Sequence, residues 1–159
     1  MQVGSASDWV SLAVGGSHTC GVRTNGTAWC WGTNYSGQIG NAVGNYDNTA
    51  QPTPVQVGTA TDWTSISAGV DHTCGTRAGN TGWCWGERRL GSIGNGVPND
   101  YQGATPVPTQ LPGEWLRIDA THQWTAALAA DGTVWSWGMN TLGQSGHLPI
   151  ARTPVAVQG

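Results

Sequence analysis

The chain has no lysine at all, and its 159 residues carry six arginines against nine acidic side chains. Mechanisms built on a lysine, whether a Schiff base or a P-loop, are therefore excluded. With a net charge of −3 the clustered basic footprint that neutralises nucleic-acid phosphates is also missing. No apolar run approaches the ~18 residues that a membrane-spanning helix needs. Charged residues make up only 9%, yet the aromatic-poor signature of disorder is absent, because ten tryptophans are present. The 25 glycines and 8 prolines leave no room for long helices, and without a three-residue period they do not make collagen. What remains is a bias to Gly, Thr, Trp and Val over about one domain's length, the composition of short strands and tight turns.

Internal repetition organises the rest. Asp8 to Asn41, Asp62 to Asn95 and Glu114 to His147 align, with Trp9, Trp63 and Trp115 setting the phase at steps of 54 and 52 residues. Each segment is followed by a variable loop and then Thr-Pro-Val, at Thr53, Thr105 and Thr153. Within the first repeat, Trp9 to Ala13, Thr19 to Arg23 and Thr27 to Trp31 read as strands, the last two joined at Thr24-Asn25-Gly26. Val55 to Val57 reads as a fourth strand, entered through a proline that suits an edge. Four strands every ~50 residues is a β-propeller blade. The expected fold is all-β: one propeller segment over 1–159, with three four-stranded antiparallel repeats at about 8–57, 62–111 and 114–157.

A hairpin centred on Asn25 sets residue 20 against 30, 21 against 29 and 19 against 31. Side-chain alternation then puts Trp29 and Trp31 on one face and Cys20 and Cys30 on the other. Gly21, Gly75 and Ala127 stand opposite Trp29, Trp83 and Trp135, which reads as room left for an indole. The six tryptophans Trp29, Trp31, Trp83, Trp85, Trp135 and Trp137 are expected to fill the space between blades. Cys20 and Cys30, and likewise Cys74 and Cys84, occupy directly opposed hairpin positions, and both partners change together to Ala126 and Ser136 in the third repeat. Joint loss is the pattern of bonded pairs, so Cys20–Cys30 and Cys74–Cys84 disulfides are expected, each worth about 2–3 kcal/mol. The alternative is zinc on His18 with Cys20 and Cys30, although the usual close Cys-x-x-Cys spacing is missing. Disulfides point to an extracellular or periplasmic location. The first residues run straight into repeat sequence without a signal segment, as expected of a piece of a longer array or a processed product.

The string His18-Thr19, Gly26, Trp29-Cys30-Trp31-Gly32, Gly37-Gln38-Ile39-Gly40 and Thr53-Pro54-Val55 resembles the regulator of chromosome condensation repeat, and it recurs three times. The resemblance implies a β-propeller, usually of seven blades, and the cysteine-bearing form is similar to repeats of exported bacterial proteins. Members of that family exchange nucleotide on the GTPase Ran and bind chromatin, sense ultraviolet light, or inhibit a β-lactamase, so a binding module is implied without a particular partner. The chain departs from the pattern at Gly91-Ser92, at Arg88-Arg89 in place of Asn34-Tyr35, and at Trp124 in place of His18 and His72.

Residues for chemistry are few. Repetition of His18 and His72 after glycine turns favours a structural imidazole bonded to a turn carbonyl, against a metal-binding or hydrolytic site there. No Gly-x-Ser-x-Gly elbow, paired glutamates or dinucleotide-binding glycine pattern accompanies them. The chain is thus expected to be a non-enzyme without cofactors, presenting blade loops to a protein partner. Candidate contacts are Tyr46 and Asp47, Asp100 and Tyr101 on the long loops, with Arg88, Arg89 and Trp124 at the departures. No alternating carboxylate pattern supports calcium at those loops. A structural fragment that self-assembles with no ligand is the competing expectation. Three blades leave two faces uncovered, and two copies would close a six-bladed ring.

Overall fold

A computed structural model of the chain describes residues 2–42, 49–97, 104–146 and 150–157. The described residues form twelve strands in three four-stranded sheets, with no α-helix among them. Blade 1 holds β1 (Trp9–Val14), β2 (His18–Arg23), β3 (Ala28–Gly32) and β4 (Gln51–Gln56). Blade 2 holds β5 (Trp63–Ala68), β6 (His72–Arg77), β7 (Thr81–Glu87) and β8 (Ala104–Leu111), with a short 3-10 turn at Arg89–Gly91. Blade 3 holds β9 (Trp115–Ala120), β10 (Trp124–Ala129), β11 (Val134–Gly138) and β12 (Ala151–Ala156). Strands within each blade pair antiparallel in sequence order, so the first and fourth are edges.

The central hairpin has the register that the sequence implies. Cys20 faces Cys30, Gly21 faces Trp29 and Thr19 faces Trp31, and the other two blades repeat the pairing. Its turn works through the side chain of Asn25, whose Oδ1 accepts from the Thr27 amide at 3.1 Å and the Thr27 hydroxyl at 2.7 Å. Gly26 is required there by its φ of +75° and because a Cβ would meet the Thr61 carbonyl oxygen of the linker to blade 2. Both disulfides are formed, Cys20–Cys30 and Cys74–Cys84. The sulfurs are bonded to each other, so no thiolate is left to ligate zinc beside His18.

Two details of the sequence reading are corrected. The fourth strand of blade 1 spans Gln51–Gln56, not Val55 to Val57, and runs through Pro52 and Pro54. An edge strand tolerates this because one side of its ladder has no partner to miss the N–H. The small residues opposite the outer tryptophans make room for other rings. A Cβ on Gly21 would meet Trp9 and Leu12, and one on Gly75 would meet Trp63, all from the neighbouring first strand.

Blades stack face to face, and each face has a constant character. The face toward the following blade carries Cys20, Val22, Ala28 and Cys30, packed with Ile39 against Trp63, Ile66 and Trp85 of blade 2. Cys74, Cys84 and Ile93 of blade 2 pack in the same way against Trp115, Ile118 and Trp137 of blade 3. The tryptophans divide their labour accordingly. Trp85 and Trp137 are fully buried between blades, whereas Trp29, Trp83 and Trp135 are half-buried toward the hairpin end.

Candidate functional site

The histidines sit at the joint between blades. His18 and His72 open the second strand of their blades and point, with Cys20 and Cys74, toward the next blade. His18 Nε2 lies 2.8 Å from Thr73 Oγ1 of blade 2, and His72 Nε2 lies 2.9 Å from Thr125 Oγ1 of blade 3. Thr73 donates its hydroxyl proton to the Gln38 carbonyl at 2.8 Å, and Thr125 donates to the Ser92 carbonyl at 2.8 Å. Each hydroxyl has a single proton, already committed, so it accepts from the histidine and Nε2 carries the hydrogen. The same carbonyls receive the indole N–H of Trp85 at 2.9 Å and of Trp137 at 3.0 Å. Histidine, threonine, carbonyl and tryptophan thus form a four-part latch at each joint.

The accepting carbonyl is held by its own loop. Asn34 Oδ1 accepts from the Ile39 amide, and Gln38 Oε1 accepts from the Ser36 amide. Because a backbone oxygen does the work, the change from Gln38 to Ser92 leaves the latch intact. The expectation that each imidazole bonds a turn carbonyl is corrected in detail, because a threonine of the next blade stands between them. Burial also keeps both histidines neutral. Burial pushes His18 down to about 4, and burial with the His18 charge pushes His72 down to about 3. Buried, neutral and hydrogen-bonded to a committed hydroxyl, neither ring is placed to shuttle protons.

One carboxylate pair was not anticipated. Burial raises Asp71, countered by His122, and burial with the Asp71 charge raises Glu87, countered by Arg89. The two acids meet because Asp71 precedes β6 and Glu87 ends β7, with the Glu87 amide bonded to the Asp71 carbonyl at 2.8 Å. The pairing of His72 with Gly86 in the hairpin register was the signal available for it. Among the described residues no cluster of three or more His, Cys, Asp or Glu side chains is arranged to hold a metal.

Of the sequence-predicted contacts, Arg88, Arg89 and Trp124 lie within the described residues. Arg88 and Arg89 lie at the 3-10 turn after β7, with Arg89 exposed. Trp124 opens β10 opposite Gly138, the register position of His18 and His72, half-buried on the outward face of blade 3. Tyr46, Asp47, Asp100 and Tyr101 fall outside the described residues.

Sequence reasoning also missed an arginine at the hairpin end of the first two blades. Arg23 Nε donates to Asp8 at 2.7 Å with its guanidinium 5.5 Å from the Trp29 ring centre. Arg77 Nε donates to Asp62 at 2.6 Å, 4.8 Å from Trp83 and 5.7 Å from Trp63. The recurrence of Asp-Trp and Arg at fixed offsets was visible, but it reads as ordinary surface charge until the strands are laid side by side.

Stacked four-stranded blades with a repeating inter-blade latch define a β-propeller repeat protein. The chain belongs to the regulator of chromosome condensation (RCC1) repeat family, whose sequence profiles match residues 9–38 and 121–144, and residues 25–75. It is 28% identical over 138 residues to the ultraviolet-B receptor UVR8 of Arabidopsis thaliana, covering 85% of this chain and 30% of that protein. To the protein RCC2 homolog of Danio rerio it is 26% identical over 142 residues, covering 87% and 28%. Prp20p of Saccharomyces cerevisiae, described with its binding to Gsp1p and histones, superposes at a TM-score of 0.85 and 20% identity, over 96% of this chain and 39% of that one. Human WBSCR16 superposes at 0.78 with 19% identity. The chain therefore spans between a quarter and two-fifths of the length of these relatives.

Proposed function

We propose that this chain is a non-catalytic protein-binding module whose blade-end loops contact a partner outside the cytoplasm. The observation that carries the reading is the use made of the histidines. His18 and His72 are buried, neutral and consumed by the latch, so the variable chemistry is left to the loops and blade ends. Relatives described as binding other proteins support it, and the two disulfides support an oxidising location. Affinity capture from an extracellular extract of the source, run beside an Arg88→Ala/Arg89→Ala variant, tests it. A partner held by the unmodified chain and lost by the variant is expected. Equal recovery by both, or substrate turnover by the purified chain, would overturn it.

A stripe of exposed apolar side chains on β1 favours a second reading. Val10, Leu12 and Val14 are 60%, 63% and 77% exposed, whereas Ile66 and Ile118, at the register position of Leu12, are 9% and 2% exposed. A second copy covering that stripe with its blade 3 would give the six-bladed ring. The covering face would bring Trp124 instead of histidine, and Arg117 with Asp119 at the register positions of Ser11 and Ala13, so the joint would form without the latch. Light scattering separates the two states: a mass near 16.6 kDa excludes the ring, and a mass near twice that supports it.

A further inference from the structure

At the hairpin end of blade 3 lies a cavity of about 500 Å³ walled by Trp115, Trp135, Ala129 and Pro154, with Glu114 and Asp131 at its rim. Its counterpart in blade 1 is a cavity of about 260 Å³ with Arg23 in the wall. The difference has two visible causes. Arg23 and Arg77 pair with Trp9 and Trp63 across the first two strands, and the residue pairing with Trp115 is Ala129. The lead-in is also shorter: Gln110 to Trp115 replaces the longer Gln2 to Trp9 and Gln56 to Trp63.

Everything that holds the arginine in the first two blades remains in the third. The aromatic platform is Trp135, in the place of Trp29 and Trp83. Its indole N–H is pinned to Thr133 Oγ1 at 2.7 Å, as Trp29 is pinned to Thr27 at 2.8 Å and Trp83 to Thr81 at 3.2 Å. Trp115 stands edge-on to it, with ring centres 6.0 Å apart at 86°. The acid is Glu114, in the place of Asp8 and Asp62. A second acid, Asp131, replaces the neutral Asn25 of the blade 1 hairpin, and its hydrogen bonds to Thr133 hold its carboxyl below the ordinary carboxylate range. Two acids and a fixed tryptophan face surround a space that no arginine of this blade fills.

We propose that this cavity is an acceptor for an arginine side chain of a partner protein, which takes the position that Arg23 and Arg77 occupy in their own blades. The proposal deepens the protein-binding reading and rests on it for the identity of the occupant as protein. The guanidinium would lie over Trp135 and donate to Glu114, with Asp131 adding charge complementarity at the rim. Lysine fits less well, because an ammonium lacks the planar fork that stacks and donates at once.

The test uses the whole chain and an acetyl-Gly-Arg-Gly-amide peptide, followed by tryptophan fluorescence and by the Trp135 indole resonance in NMR. Saturable binding in the millimolar range is expected, with the Trp135 signal shifting most. The lysine peptide should bind at least about threefold more weakly, and the neutral citrulline peptide at least about tenfold more weakly. Ala129→Arg supplies the missing side chain from within and should abolish peptide binding. Should that variant misfold, Glu114→Gln, at an exposed position, should still weaken the arginine peptide at least about threefold. Absence of arginine binding, equal affinity for citrulline or lysine, or undiminished affinity in Ala129→Arg or in Glu114→Gln would each overturn the proposal. Such a failure would leave loop-mediated capture through Arg88 and Arg89 standing, so the two readings fail separately.

Discussion

Blade 2 gives and receives a joint, and the third blade differs from the first two almost wholly on the giving side. The giving positions are the histidine, the disulfide and the loop isoleucine, which are His72, Cys74–Cys84 and Ile93 in blade 2. In blade 3 they become Trp124, Ala126 with Ser136, and Ser145. The receiving positions, Thr125, Trp137 and Ile118, are kept and buried. The outward face of blade 3 gains a bidentate pair as well, with Arg117 donating to Asp119 at 2.6 and 3.0 Å. Substitutions thus travel together according to the surface they serve, as expected where each repeat contacts only its neighbours. The one receiving-side loss, Arg77 to Ala129, removes no member of the latch and instead opens the cavity.

Removing a receiving tryptophan tests the contrast hardest. Trp137→Ala empties a fully buried site and orphans the Ser92 carbonyl from its indole, costing about 4 kcal/mol in urea unfolding. Trp31→Ala, at the same register position on the half-exposed face of blade 1, should cost less than half of that. Equal losses would erase the difference between a filled joint and an open face.

Acid comes next. In the unfolded chain a histidine titrates near 6.5, whereas His18 and His72 stay neutral in the fold until about 4 and about 3. The unfolded state therefore binds more protons between those limits. The stability is fully present above pH 6.5 and falls as the pH drops toward 4, by about 2–3 kcal/mol per histidine. A double His18→Gln/His72→Gln variant should lose that slope, which a series of urea titrations from pH 7 to about pH 4 would reveal.

Reduction of the disulfides divides the blades again. Each bridge closes a ten-residue separation and should be worth about 2–3 kcal/mol. Hydrogen exchange under reductant should accelerate in β2, β3, β6 and β7 more than in β10 and β11. Uniform acceleration would mean that the bridges serve the stack and not their own hairpins. The smallest effect belongs to the arginines. Arg77→Ala should cost about 1 kcal/mol through its tryptophan and aspartate contacts, while Arg117→Ala on the outer face should leave the urea midpoint unmoved.

The hairpins were legible because they depend on neighbours in sequence. Asn25-Gly26 fixes the turn, period-2 alternation fixes the faces, and opposed cysteines that vanish together fix the pairing. The latch was half legible. The recurring His-Thr pair announced a structural unit, but alternation sends the two side chains to opposite faces, so His18 meets Thr73 and never Thr19. Contacts 53 and 55 residues apart need the stacking direction of the blades, which no local spacing encodes. The fourth strand was misplaced because proline reads locally as a stop, while its tolerance depends on being an edge. The cavity was written plainly as Arg23, Arg77 and Ala129, yet it carries no meaning until Trp135 and Glu114 are known to flank that position.

The latch itself is open to direct observation through the protonation of its histidines. Long-range proton–nitrogen correlation NMR at pH 6 distinguishes the two neutral tautomers from the imidazolium. His18 and His72 should both appear as neutral rings, as their burial demands, with the hydrogen on Nε2, as a threonine already donating to a carbonyl demands. A neutral ring carrying its hydrogen on Nδ1 would contradict the latch, and a ring protonated at that pH would contradict its burial in the joint between blades.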